Sequence, residues 1–198
     1  MRRDEGDARD ADHARDDGGG RGTDGARTVA DRVAVTGTPG TGKSTATALL
    51  VDEYDVVHLN DLIKGNDELW TERDEERDTL VADLEAIAER LGDWSGVLDS
   101  HLAHRFEADR VVVLRCHPDR LAHRLVERGE PETKVRENAE SEALDVILSE
   151  AVAEHGMENV YEIDTTDADP DAVAEAIRAV IEGTREPSAG TVDFTDYL

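Results

Sequence analysis

Cysteine is nearly absent from this 198-residue chain: Cys116 stands alone, so no internal disulfide can staple the fold. It closes an apolar run, where a free thiol reads as a small core residue. No stretch approaches the ~18 consecutive apolar residues that a spanning helix needs, and the N-terminus carries no apolar leader-like run. A soluble, cytoplasmic protein is expected. Lysine is scarce as well. Lys43, Lys64 and Lys134 are the whole supply, and arginine makes up the rest of the 22 basic residues. Against these stand 48 acidic residues, for a formal net charge of −26. Such a balance excludes unaided binding to bare nucleic acid, which requires a basic footprint, but leaves a basic protein as a possible partner. It also makes the surface repel itself at low ionic strength. Molar salt shortens the Debye length to roughly 3 Å and lifts that penalty, so the composition fits a salt-accumulating cell.

Three regions follow from composition. Residues 1–30 are mostly Asp, Arg, Gly and Ala, with little to bury, and are expected to be a disordered acidic extension. Residues 31–185 have the length and apolar content of one domain. Residues 186–198 read as a loose tail, with Phe194, Tyr197 and Leu198 able to dock.

Inside the domain, strand patterns alternate with helical ones. Strands are expected at Arg32–Thr36, Asp55–Leu59, Gly96–Ser100, Arg110–Cys116 and Asn159–Asp164. Helices are expected at Lys43–Tyr54, Asp78–Leu91, Pro118–Arg128, Pro131–Glu154 and Pro170–Gly183. Leu80, Leu84, Ile87 and Leu91 recur at helical spacing and read as one buried stripe. Alternation of this kind predicts an α/β fold, a parallel sheet with helices on both faces. Ligands in such sheets sit at the carboxyl ends of the strands.

The chemistry gathers at those ends. Gly37-Thr38-Pro39-Gly40-Thr41-Gly42-Lys43-Ser44 is a complete G-x-x-x-x-G-K-[ST] phosphate loop between a β-branched run and a helical stretch. Its glycines let backbone N–H groups turn inward onto phosphate oxygens. Lys43 is placed to bridge the β- and γ-phosphates of ATP, and the Ser44 hydroxyl to hold Mg²⁺. Val97-Leu98-Asp99 is an apolar strand ending in an acid, and beside a phosphate loop Asp99 reads as a second holder of Mg²⁺, direct or through water. His101 could order a water or the γ-phosphate, or merely cap the next turn. Arg120, Arg124 and Arg128 share a helix face. After Gly129 comes Glu130–Arg136, a polar segment with no core pattern, which reads as a kinase lid with Arg128 at its edge. Lys64, one of three lysines retained, reads as a phosphate contact for a second substrate.

Gly37–Thr45, the Asp99-Ser100-His101 triplet and Arg124–Gly129 together resemble the nuclear-type adenylate kinase family, isoenzyme six (CINAP), in the form of an archaeal-like halophilic member. The likeness runs from about Arg32 to Gly183, and the Asp-x-His triplet is its most specific sign. It implies a P-loop NTPase of the nucleoside monophosphate kinase type, with a five-stranded parallel sheet, an NMP-binding segment at about 58–81 and a lid at about 128–137. It implies that Gly40, Thr41, Gly42, Lys43, Ser44, Thr45 and Arg128 contact ATP, that Asp61 and Lys64 contact the NMP, and that Lys43, Asp99, His101 and Arg128 serve catalysis. Where the family usually has arginine and tyrosine, this chain has Lys64 and Glu130.

The implied activity is ATP + AMP ⇌ 2 ADP with some ATP hydrolysis. The resemblance also implies a role in late maturation of the small ribosomal subunit and its 16S rRNA, through transient docking on small-subunit ribosomal protein eleven and pre-30S particles. Two alternatives stay open: an ATPase switch in ribosome assembly with incidental kinase activity, and a P-loop kinase for another small acceptor.

One expectation follows from the charge alone. The melting temperature should rise steadily from low to molar KCl; a flat or falling curve would remove the salt-adaptation reading.

Overall fold

The computed structural model describes residues 28–74 and 79–197. The expected extension therefore falls almost wholly outside the described residues, as do residues 75–78 and Leu198. Five parallel strands form the central sheet: β1 (Arg32–Thr36), β2 (Val56–His58), β5 (Gly96–Asp99), β6 (Arg110–Arg115) and β7 (Val160–Asp164), in the spatial order β2-β5-β1-β6-β7. A separate hairpin pairs β3 (Trp70–Asp74) with β4 (Thr79–Ala82). Helices are α1 (Lys43–Thr47), α2 (Leu59–Lys64), α3 (Leu84–Leu91), α4 (Pro118–Glu127), α5 (Glu132–Ala143), α6 (Val146–His155) and α7 (Pro170–Ile181).

Alternation along the strands divides the core in two. Val33, Val35, Val112, Leu114, Tyr161 and Ile163 face α1 and α7, against Leu50, Ala174, Ile177 and Val180. Ala34, Leu98, Val111, Val113 and Val160 face the other way, onto Leu59, Ile63, Ile87, Leu148 and Ala151. No helix among the described residues is long and apolar enough to cross a membrane. Cys116 joins Leu121, Leu125 and Val135 in a third small cluster. Burial pushes its thiol up to about 11, so it packs as an inert core group.

Two helices differ from the sequence pattern. The expected Asp78–Leu91 helix begins only at Leu84, because Asp83 caps it by accepting the Ala86 N–H at 3.0 Å. Leu80, the first member of the presumed stripe, lies instead on β4, whose Thr-Leu-Val sequence favours a strand. The expected Pro131–Glu154 helix breaks at Asp145, which adopts φ +54° and starts α6. A non-glycine residue there is uncommon; here Arg115 holds it by donating to the Asp145 carboxylate and to the Glu142 carbonyl. The first helix is also short, passing into a 3₁₀ turn at Ala48–Leu50.

Residues 186–197 take the docked alternative, as a strap across the sheet edge. Glu162 accepts the Thr191 N–H at 2.7 Å and the Val192 N–H at 3.3 Å. Phe194 is buried; its ring lies 5.3 Å from the Arg115 guanidinium and meets His117 edge-on at 5.4 Å.

Phe194→Ala should therefore cost about 3–5 kcal/mol, as for a buried aromatic. Denaturant unfolding in molar KCl measures it. A loss within 0.5 kcal/mol would mean that the strap is not seated.

Candidate active site

The phosphate loop begins where β1 ends, and its first turn depends on glycine. Gly37 has φ +135°, and a Cβ there would sit 2.4 Å from the Leu114 carbonyl oxygen of the neighbouring strand. The loop can thus lie flat against the sheet edge. Within it, the Thr38 carbonyl accepts the Thr41 N–H at 3.2 Å and the Thr41 hydroxyl at 2.9 Å.

Lys43 opens α1 and is largely buried. Its Nζ donates to the Gly37 carbonyl at 2.6 Å and the Thr38 carbonyl at 3.0 Å. An ammonium has three donors, so one remains for a ligand oxygen. Burial pushes its pKa down to about 8, against the pull of Asp99 and Glu142. The charge is therefore held at neutral pH with its direct hydrogen bonds going to carbonyls, and its third donor favours an anion.

Asp99 ends β5, the strand paired directly with β1, so it lies beside the start of the loop. Its Oδ2 accepts the Thr47 hydroxyl at 3.0 Å and pairs with His58 Nδ1 at 2.9 Å. Its Oδ1 is buried with no hydrogen-bond partner among the described residues. A buried, unpartnered carboxylate oxygen is costly to leave so, and it fits a cation or a water that a cation orders. Ser44, next to Lys43, exposes its side. No group of three or more His, Cys, Asp or Glu able to hold a metal occurs among the described residues.

Two cavities flank the loop. One, of 160 Å³, is lined by Gly40, Gly42, Lys43, Ser44, Thr45, Asn60, His101 and Arg128, with Pro39. The second, of 220 Å³, lies between Gly40–Gly42, Thr45, Arg124, Arg128 and the turn after β7 at Thr165, Ala168 and Pro170. His101 is pushed down to about 4 by burial and then by Lys43, so its imidazole is neutral at physiological pH. It can exchange hydrogen bonds there but adds no charge.

The structure thus brings together Gly40, Thr41, Gly42, Lys43, Ser44, Thr45, His101 and Arg128, with Asp99 behind them. Asp61 and Lys64 lie exposed on α2, outside both cavities; the α2 residue that lines the first is Asn60, which accepts the Ser100 hydroxyl at 3.0 Å. The segment expected as a lid, about 128–137, comprises the turn at Arg128–Pro131 and the start of α5; contrary to the absence of a core pattern, Val135 is in the core, and Lys134 pairs with Glu130 at 3.2 Å.

Sequence reasoning passed over Thr47 and the Thr165–Pro170 turn, and set His58–Asp61 at a strand end near the loop without a role for His58 or Asn60. The turn carried a signal, a strand end followed by a proline helix start. Arg124, set beside Arg128 only by its spacing, is the residue that secures this turn, donating to the Thr165 carbonyl at 2.7 Å and the Thr166 carbonyl at 3.2 Å.

Comparisons with known proteins agree with this architecture. A family described as an AAA domain matches residues 33–145. A Natronomonas pharaonis protein named "Putative adenylate kinase" is 64% identical over 168 residues, covering 84% of this chain and 99% of that protein. Proteins of the same name from Halobacterium salinarum (strain R1) and Methanosarcina barkeri are 57% and 40% identical, again over 84% of this chain and 99% and 98% of theirs. A sulfotransferase structure from Alicyclobacillus acidocaldarius matches with a TM-score of 0.50 at 16% identity, covering 86% of this chain and 88% of that one, which bears on fold alone. The chain belongs to this archaeal family, and its sheet is that of a P-loop NTPase.

Lys43→Met tests the site without touching the acceptor. Nucleotide binding, measured by calorimetry, should weaken at least tenfold, since a charge-assisted contact of about 1.5–3 kcal/mol is removed. The melting temperature without nucleotide should hold or rise, because a desolvated ammonium goes with it. Undiminished affinity would place the phosphate site elsewhere.

Proposed function

We propose that this protein is a nucleoside monophosphate kinase of the adenylate kinase type, passing the terminal phosphate of ATP to AMP. The observation that carries this is the convergence of Lys43, His101 and Arg128 on one cavity, backed by the unpartnered Oδ1 of Asp99. The names of its archaeal relatives support the same activity.

The loop N–H groups and Lys43 would hold the β- and γ-phosphates of ATP. The second cavity would take the nucleoside, between Arg128 and the Thr165–Pro170 turn. Ser44 and Asp99 would hold Mg²⁺, which when bound neutralises charge on the phosphate oxygens. Arg128, exposed at the end of α4, is placed to swing onto the transferring group. The acceptor would enter over α2, with Asn60 at the cavity wall and Asp61 and Lys64 contacting it as this segment closes. Catalysis then consists of aligning two nucleotides, excluding water and neutralising the phosphoryl group.

A second reading is kept for one observation: the neutral, half-buried His101 lines the cavity, where it can hold a water toward the γ-phosphate. That chemistry supports ATP hydrolysis and an ATPase switch in ribosome assembly, as in the nuclear-type isoenzyme-six family, with small-subunit ribosomal protein eleven and pre-30S particles as partners. The acidic surface suits a basic protein of this kind. Cytoplasmic location in a salt-accumulating cell fits both readings, as do relatives from halophiles.

An acceptor screen in molar KCl with ATP and Mg²⁺ decides. AMP should yield ADP, and Lys64→Ala should raise the KM for AMP more than that for ATP. His101→Ala should lower ATP hydrolysis more than AMP phosphorylation. Hydrolysis of ATP with transfer to no NMP would favour the ATPase switch.

A further inference from the structure

One buried carboxylate reaches the phosphate loop without any part in the phosphoryl chemistry. Glu142, in the last turn of α5, is 3% exposed. Its Oε2 accepts the hydroxyl of Thr38, the second residue of the loop. Its Oε1 accepts the Arg115 Nε at 2.8 Å and the Cys116 N–H at 3.1 Å. Thr38 in turn presents the carbonyl on which both Lys43 Nζ and Thr41 rest.

A purely structural tie between α5 and β6 would not need this residue. Arg115 already has Glu162 and Asp145 as carboxylate partners, so a third is more than its charge requires. Burying a further carboxylate is expensive unless every lone pair is used, and Glu142 spends one oxygen on β6 and the other on the loop. What Glu142 adds is the bond to the loop. Of the three acids around Arg115, it alone bonds to Thr38 among the described residues. Its helix also begins only four residues after Arg128, so the same rod runs from the edge of the lid to the floor of the phosphate site.

We propose that Glu142 is a positioning residue for nucleotide binding: it fixes Thr38, and through Thr38 the loop that carries Lys43, and it ties that loop to the helix leading out of the lid. The inference rests on the phosphate-site part of the proposed function and is independent of the acceptor. Arg115 aims Glu142 through its Nε, and the Phe194 ring lies 5.3 Å from the guanidinium. A displacement of α5 would be passed to the loop as a shift of the Thr38 carbonyl.

The test measures the dissociation constant of a fluorescent ADP in molar KCl, together with melting temperature, for Thr38→Val, Thr38→Ser, Glu142→Gln and the double variant Thr38→Val/Glu142→Gln. Thr38→Val leaves the Arg115–Glu142 pair in place, so it remains informative should Glu142→Gln fold poorly. Thr38→Val should weaken binding about tenfold, as expected for loss of a hydrogen bond to a charged group. Thr38→Ser should restore it, and the double variant should bind no worse than the weaker single one. Wild-type affinity in Thr38→Val, no rescue by Thr38→Ser, or fully additive losses in the double variant would overturn the proposal. Because ADP binding is read directly, a failure to phosphorylate AMP would not affect the outcome.

Discussion

Holding the Lys43 ammonium out of water at the carboxyl edge of the sheet obliges its surroundings to do what water would have done. The carbonyls of Gly37 and Thr38 take two of its donors, and the carboxylates of Asp99 and Glu142 favour its charge from a distance. Each partner constrains something else. Gly37 can present its carbonyl only because it lacks a Cβ. Thr38 is pinned by Glu142, which needs Arg115, which in turn gathers Glu162, Asp145 and the C-terminal strap. Asp99 is oriented by Thr47 and His58, leaving its other oxygen for the site. A chain of polar contacts thus runs from the phosphate loop to the far edge of the sheet, and a half-satisfied network of this kind would be worse than an apolar core.

How far the sequence discloses this depends on the range of the interaction. The loop is local: eight consecutive residues define it, and the strand before it lies where the β-branched run predicts. Strand ends were legible for the same reason, so Asp99 and His101 could be set near the loop before any tertiary information. The helix stripe through Leu80 was misleading because a 3–4 residue spacing can arise where a strand joins a helix; Asp83, a capping residue, was the signal that separates them. The break at Asp145 was beyond reach, since it depends on Arg115, 30 residues away in the chain. The role of Glu142 is hidden likewise, and so are the partners that Arg124 and a docked Phe194 find. Each looks like one more charge or a tail residue until distant segments meet.

Acidity and arginine play different parts. The described cations that do structural work are arginines in multi-partner settings: Arg115 among three acids, Arg124 on two carbonyls, Arg178 between Glu53 and Glu175. A planar fork with several donors serves such sites better than an ammonium. Lysine is retained where a compact charge suffices, as at the phosphate loop. Acidic residues outnumber basic ones 48 to 22, so the chain carries a repulsion that concentrated salt screens.

The central claim is that two nucleotides meet in line across the edge of this sheet. Binding of a bisubstrate compound, two adenosines joined by five phosphates, tests it most directly in molar KCl with Mg²⁺. The account predicts one molecule bound per chain, far more tightly than ADP, and inhibition competitive with both ATP and AMP. Binding no tighter than ADP, or competition with ATP alone, would contradict it.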